Sequence, residues 1–314
     1  MKKIVCITGC LGFIGSHVAR ECLNRGWYVW GVDKITRASN PVILDEFSIY
    51  GDRFMFTQQD INNIDHLYSV DYIINLAAET HVDFSIEDSD VFLKSNVNGV
   101  HRLLELIRLK KERPIFFHFS TDETYGDCEI GSHNETDILK PSNPYAASKA
   151  CSDHLIQAWH RTYGIPYLIV RPTNNYGCYQ STEKLIPKVC KCLLTGHKIP
   201  LHNNGTPVRT WLHAKDTAQA VIKIIESGAQ NEIYNISGNY EAKNIEIVEK
   251  TVKIMFGDSA NVNDYCDFTY SRDGQDVRYS LDDSKLKKLG WEPKAIFDNE
   301  LPSIVSYYKD NFIW

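Results

Sequence analysis

A glycine-rich segment near the start of the chain constrains the fold more than any other feature of the sequence. Residues 8–15 read TGCLGFIG, follow an apolar run at residues 4–8 and precede a helical pattern at residues 14–25. Because glycine has no side chain, such a loop lets the backbone and the N-terminus of the following helix approach a pyrophosphate. We therefore predict a strand, a tight turn and a helix that together bind a dinucleotide. The loop residues assigned to this site are Gly9, Gly12, Phe13, Ile14 and Gly15.

An acidic residue at the end of the next apolar run favours one dinucleotide over another. Asp33 ends the run at residues 28–33 and lies 24 positions after Gly9, where a carboxylate can accept hydrogen bonds from the adenosine ribose hydroxyls. The same carboxylate would repel the 2′-phosphate of NADP. We therefore expect NAD as the cofactor, although the neighbouring Lys34 leaves NADP open.

The first half of the chain alternates short apolar runs with helical patterns. Further runs lie at residues 72–77 and 115–120, and residues 91–111 have the apolar spacing of a helix with one buried stripe. Such alternation is typical of a parallel sheet wrapped by helices. The predicted fold class is α/β, a Rossmann-type doubly wound parallel sheet with a smaller mixed α/β lobe that binds the substrate. We assign residues 1–172 to the NAD-binding domain, with a segment at about 210–236 returning to it, and residues 173–314 mainly to the substrate lobe.

The composition argues against several classes of function. A net charge of −6 and a pI near 6.0 are unlike those of nucleic-acid-binding proteins, which usually present a basic face. The nine cysteines are scattered, and their spacing fits neither a disulfide framework nor a zinc site, so we expect no metal. No segment approaches the roughly 20 apolar residues of a membrane span, and the N-terminal apolar stretch is too short for a signal peptide. The expected location is the cytoplasm.

Two neighbouring carboxylates follow the run at residues 115–119. Residues 119–126 read FSTDETYG, which places Asp122 and Glu123 at the carboxyl end of a predicted strand. An acid pair of this kind is by itself most often a solvated turn. A catalytic role therefore needs support from the rest of the sequence.

A tyrosine and a lysine share one face of the next predicted helix. Asn143 is a suitable cap, Pro144 suits the first helical position, and Gly164 ends the pattern. Tyr145 and Lys149 are four residues apart, so they project from the same face. Taken alone, the pair is equally well interpreted as an interfacial tyrosine beside a solvated lysine.

Several motifs in a consistent order resemble those of one family. They are LAAETHVDFSI at residues 76–86, STDETYGD at 120–127, YAASK at 145–149, RPTNNYG at 171–177, EKLIPK at 183–188, VRTWLHAKDT at 208–217 and RDGQDVRY at 272–279. From residue 3 to about residue 291 the chain resembles the extended short-chain dehydrogenases, and among them the dTDP-glucose and UDP-glucose 4,6-dehydratases. It departs from the family's usual residues where Phe84 replaces Arg, Thr210 replaces Asp and Thr124 replaces Val, and where Cys10 and Leu11 replace a smaller Gly-Ala pair.

The resemblance implies a reaction and a role for each catalytic residue. The charge of Lys149 lowers the pKa of Tyr145, and the phenolate removes a proton from the sugar's 4-hydroxyl while hydride passes to NAD. Glu123 then takes the C5 proton, Asp122 protonates the departing 6-hydroxyl, and hydride returns to C6. Thr121 hydrogen-bonds the 4-oxygen. Because the reaction is redox-neutral, the cofactor is expected to stay bound.

The resemblance also implies the remaining binding residues and a homodimer. The other cofactor contacts are Asp33, Lys34, Asp60, Ile61, Leu76, Ala77, Ala78 and Thr80, with Tyr145 and Lys149. The substrate contacts are Thr80, Asn174, Lys184, Leu185, Pro200, His202, Arg209, Asn244, Arg272 and Gln275. His202 and Gln275 tilt the expected substrate from dTDP-glucose toward UDP-glucose. The two helices that follow Glu87 and Asn143 are the expected dimer interface.

Two other interpretations of the sequence stay open. A nucleotide-sugar 4-epimerase or decarboxylase on the same scaffold would use Tyr145 and Lys149 but would not need both Asp122 and Glu123. A non-catalytic NAD-binding regulator would keep the glycine loop and lose the reactive groups, yet all of them are present here.

Overall fold

A seven-stranded parallel sheet forms the larger part of the protein, which is described here by a computed structural model over residues 2–272 and 274–311. The strands are β1 (Ile4–Thr8), β2 (Tyr28–Asp33), β3 (Phe54–Gln58), β4 (Tyr72–Asn75), β5 (Ile115–Phe119), β6 (Tyr167–Pro172), β7 (Asn174–Tyr176), β8 (Ile199–Pro200), β9 (Val208–His213), β10 (Glu232–Ile236), β11 (Tyr240–Lys243) and β12 (Cys266–Asp267). In the large sheet the order is β10-β6-β5-β4-β1-β2-β3, and every neighbouring pair runs parallel.

Helices cover both faces of this sheet. They are α1 (Phe13–Asn24), α2 (Val42–Phe47), α3 (Val82–Glu87), α4 (Asp90–Phe92), α5 (Gly99–Arg108), α6 (Pro144–Tyr163), α7 (Leu185–Thr195), α8 (Ala214–Glu226), α9 (Asn244–Phe256), α10 (Ser284–Lys287) and α11 (Phe297–Asp310). Val5 and Ile7 pack in the core beneath α1 and α8, whereas Cys6 packs in the core beneath α5 and α6. This alternation follows the two-residue period of a strand, and burial on both faces explains the continuous apolar runs in the sequence.

A smaller lobe is built from later segments. β9 pairs with β11 in antiparallel fashion and with β7 in parallel fashion, and β8 pairs with β12. Helices α7, α9 and α11 pack over these strands in two further apolar cores. Between β9 and β11 the chain returns to the large sheet, since α8 packs on α1 and β10 pairs with β6.

The observed elements agree closely with the sequence patterns, and the α/β fold class is confirmed. Asn143 caps α6, its Oδ1 accepting a hydrogen bond from the Ala146 N–H at 2.9 Å, and Gly164 ends the helix in a left-handed conformation. The predicted helix at residues 91–111 consists of α4, a π-helical segment (Leu93–Asn98) and α5. No helix in the described ranges is both long and apolar enough to cross a bilayer.

The strand order places the ends of several strands beside a crevice. β1 lies between β2 and β4, so the chain winds outward from it in both directions. In open α/β sheets, ligands bind beyond the carboxyl ends of the strands at such a switch point. The glycine loop follows β1, Asp33 ends β2, and the acid pair follows β5. The fold therefore brings these three sequence features to one edge.

Candidate active site

One elongated cleft runs along the carboxyl edge of the large sheet and into the smaller lobe. It consists of three adjoining stretches that share lining residues, and all the predicted site residues line it. The cofactor end contains Asp33, Lys34, Asp60, Ile61 and Ala77. The centre contains Gly9, Gly12, Phe13, Ile14, Gly15, Leu76, Ala78, Thr80, Thr121, Asp122, Glu123, Tyr145 and Lys149. The substrate end contains Asn174, Lys184, Leu185, Pro200, His202, Arg209, Asn244, Arg272 and Gln275.

The glycine loop leaves no room for side chains beneath the start of α1. A Cβ on Gly15 would lie 2.0 Å from the Gly9 carbonyl oxygen, and a Cβ on Gly9 would lie 2.8 Å from the Ala77 nitrogen. Gly12 precedes α1, and no side chain caps the helix. Its first N–H groups therefore remain available to a bound anion, and the helix dipole favours negative charge there. This geometry fits the pyrophosphate of a dinucleotide.

The acidic group at the end of β2 is held by the loop that follows β1. Asp33 accepts hydrogen bonds from the Leu11 N–H at 3.1 Å and from the Ser39 hydroxyl at 2.8 Å. Lys34 lies between two carboxylates, 3.8 Å from Asp60 and 3.5 Å from Glu79. These acids offset the charge that Lys34 would offer to a 2′-phosphate, so the electrostatics of this end favour NAD over NADP.

The acid pair stands at the centre of the cleft on a short 3₁₀ helix (Asp122–Tyr125). Thr121 caps this helix, and its hydroxyl donates a hydrogen bond to Asp122 Oδ1 at 3.1 Å. Asp122 is only 4% exposed, and its Oδ2 has no hydrogen-bond partner among the described residues. Glu123 is partly buried and accepts a hydrogen bond from Asn143 Nδ2 at 3.3 Å. The two acids are therefore not a solvated turn.

Different surroundings act on the two carboxyl groups. Burial, followed by the charge of Glu123, raises the pKa of Asp122 to about 7 against the opposing charge of Arg209. Burial also raises the pKa of Glu123, but Arg209, the Asn143 hydrogen bond and Lys184 all oppose that shift. Near neutral pH, Asp122 can therefore hold a proton while its neighbour has more support as an anion. This division suits one general acid beside one general base.

Tyr145 and Lys149 both line the central stretch, but their electrostatics differ from the expectation. Burial raises the pKa of Tyr145, and the charges of Glu123 and Asp122 raise it further. Burial lowers the pKa of Lys149 to about 8. A lowering of the Tyr145 pKa by Lys149 therefore stays a prediction. The charges of Glu123 and Asp122 act on the phenol, while Lys149 Nζ lies 3.4 Å from His118 Nε2.

A buried polar network behind Lys149 was not predicted. Asn75 connects the Thr8 hydroxyl, 2.6 Å from its Oδ1, to His118 Nδ1, 3.1 Å from its Nδ2. On the other side of the lysine, Asp153 accepts hydrogen bonds from Ser120 and Arg171, both at 3.0 Å. His118 lies inside the apolar run of β5, and nothing in the local sequence distinguishes it from a core residue. The Asn143 contact with Glu123 was missed because its capping role already explained that residue.

The substrate end presents cations from separate parts of the chain. Arg209 is buried over the Tyr279 ring, with its guanidinium carbon 4.1 Å from the ring centroid. It donates hydrogen bonds to backbone oxygens of Val208 and Asp276, at 2.7 and 3.0 Å, and no carboxylate pairs with it in the described ranges. Lys184 Nζ donates to the Thr80 carbonyl oxygen at 2.8 Å. A buried guanidinium that makes no salt bridge within the described ranges suits a phosphate ligand.

Arg272 is already engaged in the structure. Its Nε and Nη2 donate to the two carboxylate oxygens of Asp83 at 2.5 and 2.9 Å, and its Nη1 donates to Gln275 Oε1 at 3.1 Å. His202 Nε2 lies 3.9 Å from the same Asp83 carboxylate. Asp83 belongs to α3, whereas Arg272 lies on a loop beside the smaller lobe, so this ion pair crosses the mouth of the cleft.

The described residues offer no obvious site for a metal. No group of three or more histidine, cysteine, aspartate or glutamate side chains within them is placed to hold an ion. The polar groups of the cleft are arranged for hydrogen bonding and charge pairing.

Comparison with known proteins identifies the family. The model of the family described as GDP-mannose 4,6 dehydratase matches residues 6–303, almost the whole chain. The chain belongs to this family. Its similarity to individual members of the family extends over the full length of both proteins, as the following relatives illustrate.

Two curated members of the family are dTDP-glucose 4,6-dehydratases. The chain is 38% identical over 332 residues to the protein of Haemophilus influenzae, with 98% of each chain covered. It is 39% identical over 342 residues to that of Neisseria meningitidis serogroup B, covering 100% of this chain and 95% of the relative. A solved member, the dTDP-glucose 4,6-dehydratase DesIV of Streptomyces venezuelae with NAD bound, superposes with a TM-score of 0.93 at 37% identity, covering 98% of this chain and 97% of DesIV. The relatives therefore include 4,6-dehydratases, and one of them was solved with NAD bound.

Proposed function

We propose that the chain is an NAD-dependent 4,6-dehydratase of a nucleoside-diphosphate glucose. It converts dTDP-glucose or UDP-glucose to the 4-keto-6-deoxyglucose nucleotide and water. The observation that carries the proposal is the acid pair Asp122 and Glu123, which lies with Tyr145 in the buried centre of the cleft. The matching family and the names of its curated relatives support the same reaction.

The cofactor end holds NAD in this proposal. The glycine loop and the start of α1 bind the pyrophosphate, Asp33 accepts from the adenosine ribose, and Tyr145 and Lys149 line the nicotinamide region. When bound, NAD accepts hydride from C4 and later returns it to C6. Two observations support the fit of the pyrophosphate: Gly15 has no space for a Cβ, and no side chain caps the N-terminus of α1.

The first chemical role of the chain is to remove the proton from the sugar's 4-hydroxyl. Tyr145 is the base, and Thr121 hydrogen-bonds the same oxygen once its hydroxyl turns away from Asp122 Oδ1, to which it donates in the structure. Because burial and two carboxylates disfavour the phenolate, Tyr145 must lose its proton to a group inside the cleft. Once formed, a phenolate of raised pKa is a strong base for the alcohol.

The second role is elimination of water across C5 and C6. The 4-ketone makes the C5 proton acidic, and Glu123 removes it. Asp122, whose pKa of about 7 leaves it partly protonated near neutral pH, protonates the departing 6-hydroxyl. Its partnerless Oδ2 is the oxygen available for this contact. An epimerase has no need of these two steps, which is why the acid pair favours the dehydratase.

The substrate end holds the nucleotide. Arg209, Arg272 and Lys184 bind the diphosphate, assisted by the side chains of Asn174 and Asn244. Leu185, Pro200, His202 and Gln275 surround the base. Gln275 is occupied by Arg272 and by the Asp276 carbonyl oxygen, so it must release one of these partners before it can contact a base. Either pyrimidine nucleotide is compatible with this arrangement.

A side-by-side assay tests the proposed function. Purified protein is incubated with dTDP-glucose and with UDP-glucose, and the 4-keto product is measured by its alkali-induced absorbance. We expect product from at least one substrate, and the ratio of kcat/KM values identifies the base. Formation of the galactose epimer instead would favour a 4-epimerase, and NAD binding without turnover of either substrate would favour a regulator.

We further propose a homodimer formed through α4 to α5 and through α6. Val91, Leu93 and Tyr163 are exposed apolar side chains at these helices. A second copy of the chain would cover them. Sedimentation equilibrium of the wild type and of Leu93→Lys tests this arrangement, with a dimer expected for the first and a weakened dimer for the second.

A further inference from the structure

The proposed reaction leaves a proton imbalance inside the cleft. Each turnover places the proton of the sugar's 4-hydroxyl on Tyr145 and removes a proton from Asp122 to make water. Glu123 has no net change, because it returns the C5 proton when hydride reaches C6. Tyr145 therefore ends with one proton more, and Asp122 with one fewer, than the next turnover requires. Something must return a proton from the first group to the second.

Thr121 lies between these two groups. Its hydroxyl donates to Asp122 Oδ1 at 3.1 Å, and a side-chain hydrogen bond with Thr121 lowers the pKa of Tyr145 against the effect of burial. A hydroxyl has one proton to donate and two lone pairs. One lone pair accepts the Glu123 N–H at 3.4 Å, and the other is free for Tyr145. Since an ionised Asp122 can only accept, the chain of hydrogen bonds runs from the phenol through Thr121 to the carboxylate.

The three side chains are shielded from bulk water. Tyr145 and Thr121 are each 7% exposed and Asp122 is 4% exposed. Asp122 Oδ1 takes the Thr121 hydrogen bond, while Oδ2 has no partner among the described residues. One carboxylate oxygen therefore faces the hydroxyl that would deliver a proton, and the other is free to face the substrate.

The surrounding charges favour a state in which Tyr145 and Asp122 together hold one proton over a state in which both are ionised. The charge of Glu123 raises the pKa of both Asp122 and Tyr145, and the charge of Asp122 raises the pKa of Tyr145. The charge of Arg209, from β9, stabilises the ionised form of Asp122. Lys149 lines the cleft one helical turn beyond the phenol. Loss of both protons would place a phenolate beside two carboxylates, which is costly in a buried site. Two groups coupled in this way titrate as a pair.

We propose that Tyr145 and Asp122 share a single proton, which passes between them through the Thr121 hydroxyl. In the transfer, the Tyr145 proton moves to Thr121 Oγ1 while the Thr121 proton moves to Asp122 Oδ1. Two O–H bonds break and two form. The result is a phenolate and a neutral carboxylic acid, the two forms that the reaction uses. Rotation of the neutral carboxyl group about its Cβ–Cγ bond then turns the protonated oxygen toward the substrate. Catalysis then restores the phenol and the carboxylate, and the cycle closes without a proton from solvent.

This inference rests on the proposed function, and its test uses the hydroxyl of Thr121. Thr121→Val keeps the shape of the side chain but removes the relay, whereas Thr121→Ser keeps the hydroxyl. Thr124→Val is the matched control, because the Thr124 hydroxyl is also buried but donates only to the Thr121 carbonyl oxygen, at 2.8 Å. Each protein is assayed for 4-keto product at constant pH and ionic strength over a range of imidazole buffer concentrations.

We expect Thr121→Val to dehydrate on the order of a hundredfold more slowly, with a rate that rises with buffer concentration because small acids and bases replace the missing relay. Wild type, Thr121→Ser and Thr124→Val should be insensitive to the buffer. Thr121→Ala is assayed in parallel and should behave as Thr121→Val does, so a folding defect of the valine variant does not prevent the test. A slow but buffer-independent rate would mean that Thr121 acts only on the 4-oxygen, and the relay would be wrong. Absence of product from wild type with either nucleotide sugar would reject the proposed function itself.

Discussion

The two ends of the cleft are built by different means. At the cofactor end the geometry is set by the backbone, because Gly15 has no space for a Cβ and Asp33 is fixed by the loop that follows β1. At the substrate end the geometry is set by charged side chains from distant segments, such as Arg209 and Arg272. Substitutions at the cofactor end should therefore act on folding and cofactor binding, whereas those at the substrate end should act on substrate affinity. The acid pair lies where the ends meet, and its substitution should slow the chemistry without weakening the binding of NAD.

The largest effect is expected from Asp122→Asn combined with Glu123→Gln. Loss of the acid and the base should slow dehydration by more than about a thousandfold, equivalent to about 4 kcal/mol in the barrier. NAD affinity should not change, since neither side chain belongs to the cofactor end. The 4-keto assay and a fluorescence titration with NAD measure the two quantities. Glu129→Gln, an exposed acid further along the same segment, is the control, and near-normal dehydration by the double variant would overturn the assignment of both acids.

The next largest effect should come from Gly15→Ala at the cofactor end. Its Cβ would lie 2.0 Å from the Gly9 carbonyl oxygen, so the loop must shift, at a cost of about 3 kcal/mol in the free energy of unfolding. NAD binding should be lost with it. Gly12→Ala is the graded comparison, because there the nearest atom is 3.2 Å away and a smaller loss is expected. Urea denaturation and NAD titration check both variants, and wild-type NAD affinity in Gly15→Ala would contradict the description of this end as backbone-limited.

A third prediction concerns how the free energy of unfolding changes with pH, which should have opposite signs at the centre of the cleft and at the cofactor end. The pKa of Asp122 is raised to about 7 by burial, so its contribution to stability is present below the unfolded pKa and is lost as the pH rises through about 7. Asp122→Asn should therefore be more stable than wild type above neutral pH, by about 4 kcal/mol, and the difference should vanish in acid.

Asp60 at the cofactor end provides the opposite case. Burial raises its pKa, but its hydrogen bonds with Asn62 and the charge of Lys34 outweigh burial and lower it overall. Its contribution is therefore present above the unfolded pKa and is lost in acid, and Asp60→Asn should be less stable than wild type at neutral pH. Urea midpoints across a pH series measure both. The same sign for the two variants would show that the centre of the cleft and the cofactor end do not differ in this respect.

A smaller effect is expected from Asp83→Asn at the substrate end. Arg272 loses its bidentate partner, so it should be held less firmly against the diphosphate. The KM for the nucleotide sugar should rise about tenfold, the size expected for a charged hydrogen bond, with kcat little changed. Glu46→Gln breaks a comparable ion pair with Arg20, 2.6 Å long and outside the cleft, and should leave KM unaltered. A fall in kcat without a change in KM would place Asp83 in the chemistry instead.

The smallest effect should come from Lys34→Ala. The Lys34 ammonium is partly exposed and already paired with two acids, and such pairs contribute little. NAD affinity should change less than about threefold, and neither protein should accept NADP in its place. Titrations with both dinucleotides check this, and tight NADP binding by wild type would show that Asp33 does not control the choice.

Much of the cofactor end could be predicted because its signals are local. The glycine spacing, the strand that ends in Asp33 and the capped helix that carries Tyr145 each follow from a few adjacent residues. The position of Asp122 and Glu123 directly after β5 could also be predicted from adjacent residues. The network of His118, Asn75 and Asp153 behind Lys149 could not be predicted, because those residues come from β4, β5 and α6 and meet only when the sheet is assembled.

The electrostatics of the catalytic residues could not be predicted either. The resemblance implies that Lys149 lowers the pKa of Tyr145, whereas in the folded chain burial and the charges of Glu123 and Asp122 raise that pKa, and Lys149 Nζ lies beside His118. A pKa depends on burial and on charges within several ångströms, and these neighbours are distant in sequence.

The sequence by itself determined the α/β architecture, the nucleotide loop and the identity of the reactive side chains, because periodicity and backbone conformation are properties of short segments. Only the tertiary structure decided that Arg209 is a buried cation without a carboxylate partner among the described residues, that Asp83 holds Arg272, and that Asp122 is the more shielded acid of its pair. Those features arise from packing between segments far apart in the chain, where burial strengthens each charge and removes the water that would screen it.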